Sequence, residues 1–329
     1  MNAPDRASWL ERRRTGIGGS DVAAILGISP YRTALDVYLD KTGAAQPIAD
    51  SEPMYWGRRL EDVVAQEWQL RTGRKVQRVN GILRGAEPWM LANIDRAIVA
   101  EGSRARTDDT GVLRGAVGVI ECKTASAYAA ADWDGLDGSD ALPVHYAAQG
   151  VWYLAVTGLD VCEFAALIGG QRFVQRRVER DEDTIRGIVE QVREFWLAHV
   201  VAGVPPEPRT AADAARLWAK DRGDLIDIDQ NTDLLVTFNE LRALRQQAKD
   251  IDAKVDALAD ALKLAIGPAS GLAIGGNPCA TWKAAKDSQR VNWEAVANDI
   301  GSINPDALAQ AVTRHTTTQP GSRRFLVKD

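Results

Sequence analysis

The segment "GVIECKTAS", residues Gly118 to Ser126, poses the question on which the reading of this chain turns. An apolar run ends in Glu121 and Lys123, two positions apart. In a β-strand, residues two apart point to the same face, so a carboxylate and an ammonium would stand side by side where the strand opens into a loop. Such a pair is either an exposed ion pair, worth less than about 1 kcal/mol, or half of a metal-dependent site. The neighbouring segments decide between the two.

Upstream, "KVQRVNGILR" and "WMLANIDRAIV" read as two strands joined by the turn "GAEP", with "AVGVIECKT" as the third. The polar stretch 101–114 links the second and third as a loop. Before them, "GRRLEDVVAQEWQLRT" (Gly57–Thr72) has apolar residues at spacings of three and four and reads as a helix. Short helices are expected at Trp9–Arg14, Ser20–Gly27 and Thr33–Thr42, around the glycine turn "TGIGGSD". Downstream, Leu142–Val156 reads as a helix. "DVCEFAALIGG" and "QRFVQRRVER" read as a strand pair turning at Gly169-Gly170, and Asp181–Val201 as a long amphipathic helix. The fold class is therefore α/β, a mixed central sheet flanked by helices.

Composition narrows the classes of function. The chain has 329 residues, 45% hydrophobic and 26% charged, as in ordinary globular proteins. No apolar run reaches membrane-span length, and "MNAPDRASWLERRR" has no signal-peptide core. Cys122, Cys162 and Cys279 are scattered, which argues against a disulfide framework or a zinc or iron–sulfur site and fits a reducing cytoplasm. His145, His199 and His315 have no metal-ligand spacing. A net charge of −5 neither requires nor excludes DNA, because a local basic rim can act on an acidic body.

Against that background Glu61, Asp95, Glu121 and Lys123 stand out. Asp95, read as lying within the second strand, interrupts an apolar run, and a buried lone carboxylate is costly unless paired or metal-bound. Three carboxylates at the end of a sheet make a hard oxygen site suited to Mg²⁺ or Mn²⁺. A lysine beside them can orient or deprotonate water, or stabilise charge on a phosphate. Taken singly, each residue has a structural reading: surface Asp, solvated helical Glu, exposed ion pair. Their order along the chain is the informative feature.

That order resembles the PD-(D/E)XK nuclease superfamily, with Asp95, Glu121 and Lys123 as signature. It is more closely similar to the YqaJ-type viral recombinase family, which includes the exonuclease of bacteriophage lambda. The resemblance is carried by "WLERRRTGIGGSDVAAILGISPYRTALDVYLDKTG" (Trp9–Gly43), "WGRRLEDVV" and "PVHYAAQGVWYLAVTG" and covers about residues 9 to 205. It implies that Asp95, Glu121 and the backbone carbonyl of Cys122 ligate Mg²⁺, for which Mn²⁺ can substitute. Glu61 would complete the acidic cluster and help hold a second ion. Lys123 would contact the attacking water and Gln149 would orient it or the substrate. The terminal 5′-phosphate would be bound by Arg13 (or the adjacent Arg14) and Ser20. The glycines of "GIGGS" independently suggest backbone N–H groups free to cradle an anion.

The implied activity is 5′-to-3′ resection of linear double-stranded DNA carrying a 5′-phosphate, for phage-type homologous recombination. The setting would be the cytoplasm of a bacterial host, encoded by a phage or prophage. A homo-oligomer and a single-strand annealing protein as partner follow from the resemblance, with no membrane involved. Two other functions compete: a structure-specific or nicking endonuclease on the same core, and a non-catalytic DNA-binding or assembly scaffold. Trp9, Trp56 and Trp133 are candidates either for burial or for stacking on a frayed base. Arg172, Arg176, Arg177 and Arg180 are either a solvated edge or a DNA-backbone contact.

The domain expectation is a nuclease domain over 1–208, a linker over 209–228, a coiled coil or helical hairpin over 229–266, and a small β-containing appendage over 267–329. The third piece rests on Leu241, Leu244, Ala248, Ile251, Val255, Leu258, Leu262 and Ala265, which alternate spacings of three and four. These C-terminal pieces resemble the extensions of some phage members of the family.

Overall fold

The computed structural model describes residues 11–45, 50–134, 141–285 and 292–316, and divides the chain into two compact units, Met1–Leu217 and Trp218–Asp329. The first unit is built on a five-stranded sheet: β1 (Lys75–Gln77), β2 (Arg96–Val99), β3 (Gly118–Ala125), β4 (Val161–Ile168) and β5 (Arg172–Glu179), adjacent in that order. β3 and β4 are parallel and the other pairs antiparallel. Its helices include α1 (Gly19–Ile25), α2 (Ala34–Lys41), α3 (Glu52–Thr72), α4 (Val144–Thr157), α5 (Glu182–Phe195) and α6 (Ala211–Leu217). This is the mixed, helix-flanked sheet that the sequence predicts.

Alternation along the strands assigns the two faces. Ile98 of β2 and Ile120 of β3 pack with Val64 and Trp68 of α3. Ala97 and Val119, one position earlier in each strand, belong to the cluster that holds Val151, Trp152 and Leu154 of α4. A period of two therefore sends Glu121 and Lys123 to the α4 face and Arg96 to the α3 face. β4 is buried along nearly its whole length, because helices cover both of its faces. Gly169 and Gly170 both take positive φ between β4 and β5, which is the tight hairpin expected there.

The glycine-rich N-terminal block is hooked onto the sheet by backbone bonds. Ile17 N–H donates to the Trp89 carbonyl at 2.8 Å and Leu91 N–H to the Ile17 carbonyl at 2.9 Å. Gly16 is required here, since a Cβ would come within 2.2 Å of the Trp89 carbonyl oxygen. α1 then lies on α4.

Several boundaries differ from the sequence expectation. "KVQRVNGILR" is split into β1 and a two-residue strand, Leu83–Arg84, with Gly81 at φ +105° in the break. "WMLANIDRAIV" is likewise split, and Asp95 occupies a bend just before β2 rather than the strand itself. The loop 101–114 holds its own short pair, Arg106–Thr107 with Leu113–Arg114, closed around the Asp108 side chain. The first part of the expected linker is α6. Asp213 accepts from Thr33 Oγ1 at 3.0 Å and from the N–H groups of Arg209 and Thr210, while Arg216 reaches Asp36 at 2.5 Å. The contacts with Thr33 and Asp36 fasten α6 to the start of α2.

In the second unit the heptad region is one continuous helix, α7 (Thr232–Ile266), 35 residues long, rather than a helical hairpin. Asn231 caps it, accepting from Leu234 N–H at 3.1 Å. A hairpin of β6 (Gly271–Ile274) and β7 (Asn277–Thr281) follows, as the β-containing reading predicts. The two helices after it, α8 (Trp293–Ile303) and α9 (Pro305–His315), were not foreseen. The basic end "SRRFLVKD" lies outside the described residues.

Candidate active site

β3 and α4 bring Glu121, Lys123 and Gln149 into contact. Glu121 Oε1 accepts from Lys123 Nζ at 2.7 Å and from Gln149 Nε2 at 2.7 Å, and Lys123 also donates to Gln149 Oε1 at 3.1 Å. Gln149 Nε2 donates on to Tyr153 Oη at 2.8 Å, whose hydroxyl donates to the Asn93 carbonyl at 2.9 Å. Residues four apart on a helix share a face, which is why Gln149 and Tyr153 act together. The other carboxylate oxygen, Glu121 Oε2, is buried and has no partner.

Asp95 is the second carboxylate. Its Oδ2 accepts from Cys122 N–H at 2.8 Å, which places it against β3 beside Glu121. Burial, followed by the negative charges of Glu121 and Glu61, pushes its pKa well above the usual carboxylate range. For Lys123, burial works to lower the pKa, but Glu121 outweighs it and holds the ammonium above its ordinary value. The ring of Tyr146 lies 4.7 Å from Nζ and adds a cation–π contact. Burial, with Asp95 and Glu121, drives the Cys122 thiol upward, so its sulfur stays protonated and inert.

Glu61 stands apart from this group. It lies on α3, against the Arg96 face of the sheet, and accepts from Arg96 at 2.5 Å and Arg78 at 3.0 Å. Arg96 also bonds Asp62 and the Asp95 carbonyl. Glu61 thus contributes field to Asp95 while its own charge is offset by two guanidinium groups. Among the described residues, no three His, Cys, Asp or Glu side chains are gathered as a metal cluster. The expected convergence of three carboxylates is replaced by a pair, Asp95 and Glu121.

A cleft joins this pair to the N-terminal block, lined by Asp95, Glu121, Lys123 and Gln149 on one side and Arg13, Gly18, Gly19 and Ser20 on the other. Arg13 donates to Ser20 Oγ at 2.6 Å. Arg14 is exposed and does not line the cleft. Beneath Arg13 lies Asp21, fully buried, with Lys41 at 2.7 Å, Arg32 at 2.9 Å and Arg13 at 3.6 Å. Burial alone would raise the Asp21 pKa, but Lys41, Arg13 and Arg32 together pull it far below the ordinary value. Arg13 carries this positive charge to the cleft wall, while Arg32 and Lys41, the latter also paired with Asp40 at 3.7 Å, lie behind it.

Sequence reasoning did not single out Asp21, Lys41, Arg96 or Tyr153. Asp21 had one signal: it is the third residue after Gly18 and accepts from Gly18 N–H at 3.1 Å, in a capping-box arrangement. Trp133 is buried, whereas Trp56 is 52% exposed and bonds Glu52; Trp9 lies outside the described residues. The β5 arginines are tied up structurally. Arg176 donates to the carbonyls of Ala141 and Trp133, Arg172 pairs with Asp134, Arg177 with Glu179 and Arg180 with Glu182. No helix among the described residues is long and apolar enough to cross a membrane.

The family model described as the YqaJ-like viral recombinase domain matches residues 8–160. The uncharacterized protein YqaJ of Bacillus subtilis (strain 168) is 35% identical over 266 residues, 76% of this chain and 77% of its own length. Protein R354 of Acanthamoeba polyphaga mimivirus is 24% identical over 157 residues, 47% of this chain and 27% of that relative's length. Among solved structures, LHK-Exo in complex with dAMP has a TM-score of 0.47 at 20% identity, over 65% of this chain and 98% of that one. LHK-Exo is an alkaline exonuclease from Laribacter hongkongensis. A phage-related exonuclease from Haemophilus somnus 129PT has a TM-score of 0.38 at 10% identity, over 57% and 96% of the respective chains.

Proposed function

The chain belongs to the YqaJ-like viral recombinase family, and from that premise we propose that it is a metal-dependent nuclease that resects linear duplex DNA from a 5′-phosphorylated end. One observation carries the reading: a buried carboxylate oxygen without a partner, Glu121 Oε2, beside a second carboxylate and a fixed ammonium. Leaving such an atom unsatisfied is costly, and a hard divalent cation is the group it fits. Asp95, Glu121 Oε2 and the carbonyl of Cys122 would hold Mg²⁺, with Mn²⁺ able to replace it. Bound there, the ion supplies Lewis-acid polarisation of the phosphate and lowers the pKa of a coordinated water. A second ion near Glu61 requires that carboxylate to be released from Arg96.

The side chains divide the remaining work. Lys123 is held protonated, so it donates to water or to a phosphate oxygen and stabilises growing negative charge instead of removing a proton. Gln149 fixes both Lys123 and Glu121 and is itself fixed through Tyr153. Arg13 and Ser20, backed by Asp21, Arg32 and Lys41, are suited to hold the terminal phosphate across the cleft. Relatives that act as rings and work beside a single-strand annealing protein extend the proposal to a homo-oligomer with such a partner.

The test is digestion of a 5′-phosphorylated linear duplex and a covalently closed circle, in Mg²⁺ and in EDTA, with Lys123→Ala in parallel. Degradation of the linear DNA alone, only with metal and only by the unsubstituted protein, is expected. Cutting of the closed circle would make it an endonuclease. Inactivity on both substrates in Mg²⁺ and Mn²⁺ would leave a DNA-binding scaffold.

A further inference from the structure

α7 carries an apolar seam that no described part of its own unit covers. Leu244, Ile251, Val255, Leu258 and Leu262 are each between 48% and 68% exposed. Written as heptads, the a positions are 234, 241, 248, 255 and 262, and the d positions 237, 244, 251, 258 and 265. An isolated helix in water with an open apolar stripe is marginal, and its stability comes from packing that stripe.

We propose that α7 pairs with α7 of a second copy of this chain as an antiparallel two-stranded coiled coil, with the two-fold axis between residues 249 and 250. The seam is complementary to itself only in that direction. The three small seam residues, Thr237, Ala248 and Ala265, fall opposite Leu262, Ile251 and Leu234 of the second copy, so each small side chain meets a large one. The remaining layers pair Leu241 with Leu258 and Leu244 with Val255. In a parallel pair like meets like. Thr237, Ala248 and Ala265 would then make three underfilled layers, each a destabilising void.

The flanking charges are compatible with that direction. In an antiparallel pair, e positions face e and g positions face g. In this register Arg245 meets Asp252, twice by symmetry, while Glu240 faces Ala261 and Lys254 faces Gln247, so no like charges are opposed. A parallel pair offers Glu240 with Arg245, also twice, so the charges allow either direction and the packing of the seam decides between them. At about 1.5 Å per residue the helix is about 52 Å long, so the two chains enter the pair from opposite ends. This inference stands on α7 alone and is independent of the nuclease reading.

The test uses the full chain in a Cys279→Ser background, which removes the exposed cysteine. Leu241→Cys and Leu258→Cys chains are oxidised separately and after mixing, and the mass of the uncrosslinked protein is measured by sedimentation. A disulfide-linked pair at least tenfold more abundant in the mixture than in either variant alone is expected. Adding Leu244→Lys with Ile251→Lys, both at exposed positions, should abolish the crosslink. Crosslinking within a single variant would mean a parallel pair and overturn the proposal. So would a mixture that does not crosslink, a mass of one chain, or crosslinks that survive the lysines.

Discussion

Glu121 and Lys123 meet at 2.7 Å through Oε1 and Nζ, while the second oxygen of Glu121 is buried without a hydrogen-bond partner. The ion pair therefore uses half of the carboxylate and leaves the other half for a ligand. An exposed surface pair would have no reason to orphan a buried oxygen. Lys123→Ala is expected to lower kcat by about 10²–10³, the range for loss of a donor to developing charge. Thermal unfolding should separate this effect from misfolding.

Gln149 acts one step behind the reacting groups. Gln149→Leu removes a donor to Glu121, a donor to Tyr153 and the acceptor for Lys123. A loss of about 10–100-fold is expected, as for residues that orient metal ligands. Steady-state kinetics should show it chiefly in kcat, with an accompanying rise in the Mg²⁺ concentration at half activity.

Asp95 makes stability and activity respond oppositely to pH. Its folded pKa lies above the unfolded one, so the folded state binds the proton more tightly and loses stability as pH rises through that window. Nuclease activity should increase over the same window, as the carboxylate ionises. Asp95→Asn is expected to raise Tm in EDTA at neutral pH, by about 2–4 °C for each kcal/mol gained, and to abolish cleavage. Mg²⁺ should raise the Tm of the unsubstituted protein and leave the variant unmoved. Differential scanning fluorimetry across pH measures all three.

Asp21 anchors the opposite wall. Asp21→Asn removes the nearer counter-charge of the buried Lys41 ammonium, leaving Asp40 at 3.7 Å, and about 3 kcal/mol of destabilisation is expected. Asp21→Asn with Lys41→Met should recover much of that in urea unfolding. Because the folded pKa of Asp21 is depressed, its contribution is present above the unfolded value near 3.8 and disappears only as pH falls through the lower folded value.

The thiols should differ in reactivity. Cys279 is exposed, Cys162 is buried, and burial holds the Cys122 thiol protonated. Iodoacetamide at neutral pH is expected to label Cys279 alone within the time that leaves activity unchanged, as followed by intact-mass spectrometry.

Local patterning made much of this legible. The E-x-K on a strand, the glutamine on the following helix and the Gly-Gly hairpin all depend on neighbours a few residues away, and periodicity reads such neighbours well. Arg13 with Ser20 was legible as a pair of residue types, and the structure puts them 2.6 Å apart. What escaped depends on where elements end and what crosses the sheet. Asp95 sits in a bend before β2 because the chain breaks at Asn93–Asp95, which an apolar count over "WMLANIDRAIV" cannot resolve. Glu61 looked like a third ligand because its helix precedes the sheet; only the alternation of β2, placing Arg96 toward α3, reveals its actual partner. Asp21 and Lys41 are twenty residues apart and look like ordinary surface charges until folding buries both. The seam of α7 was visible as heptads, but one helix and a hairpin have the same spacing.

The contact between α1 and α4 has a metrical consequence. A methyl group at Gly19 would lie 2.6 Å from the Tyr153 ring and 3.1 Å from Gln149. Backbone therefore rests directly on the residues that hold the reacting lysine, with no compressible side chain between them. The wall carrying Arg13 and Ser20 and the wall carrying Glu121 and Lys123 are gauged against each other like the jaws of a fixed caliper. Under the proposed function, the length of each piece released is written into that one helix crossing, and Gly19→Ala would reset the gauge.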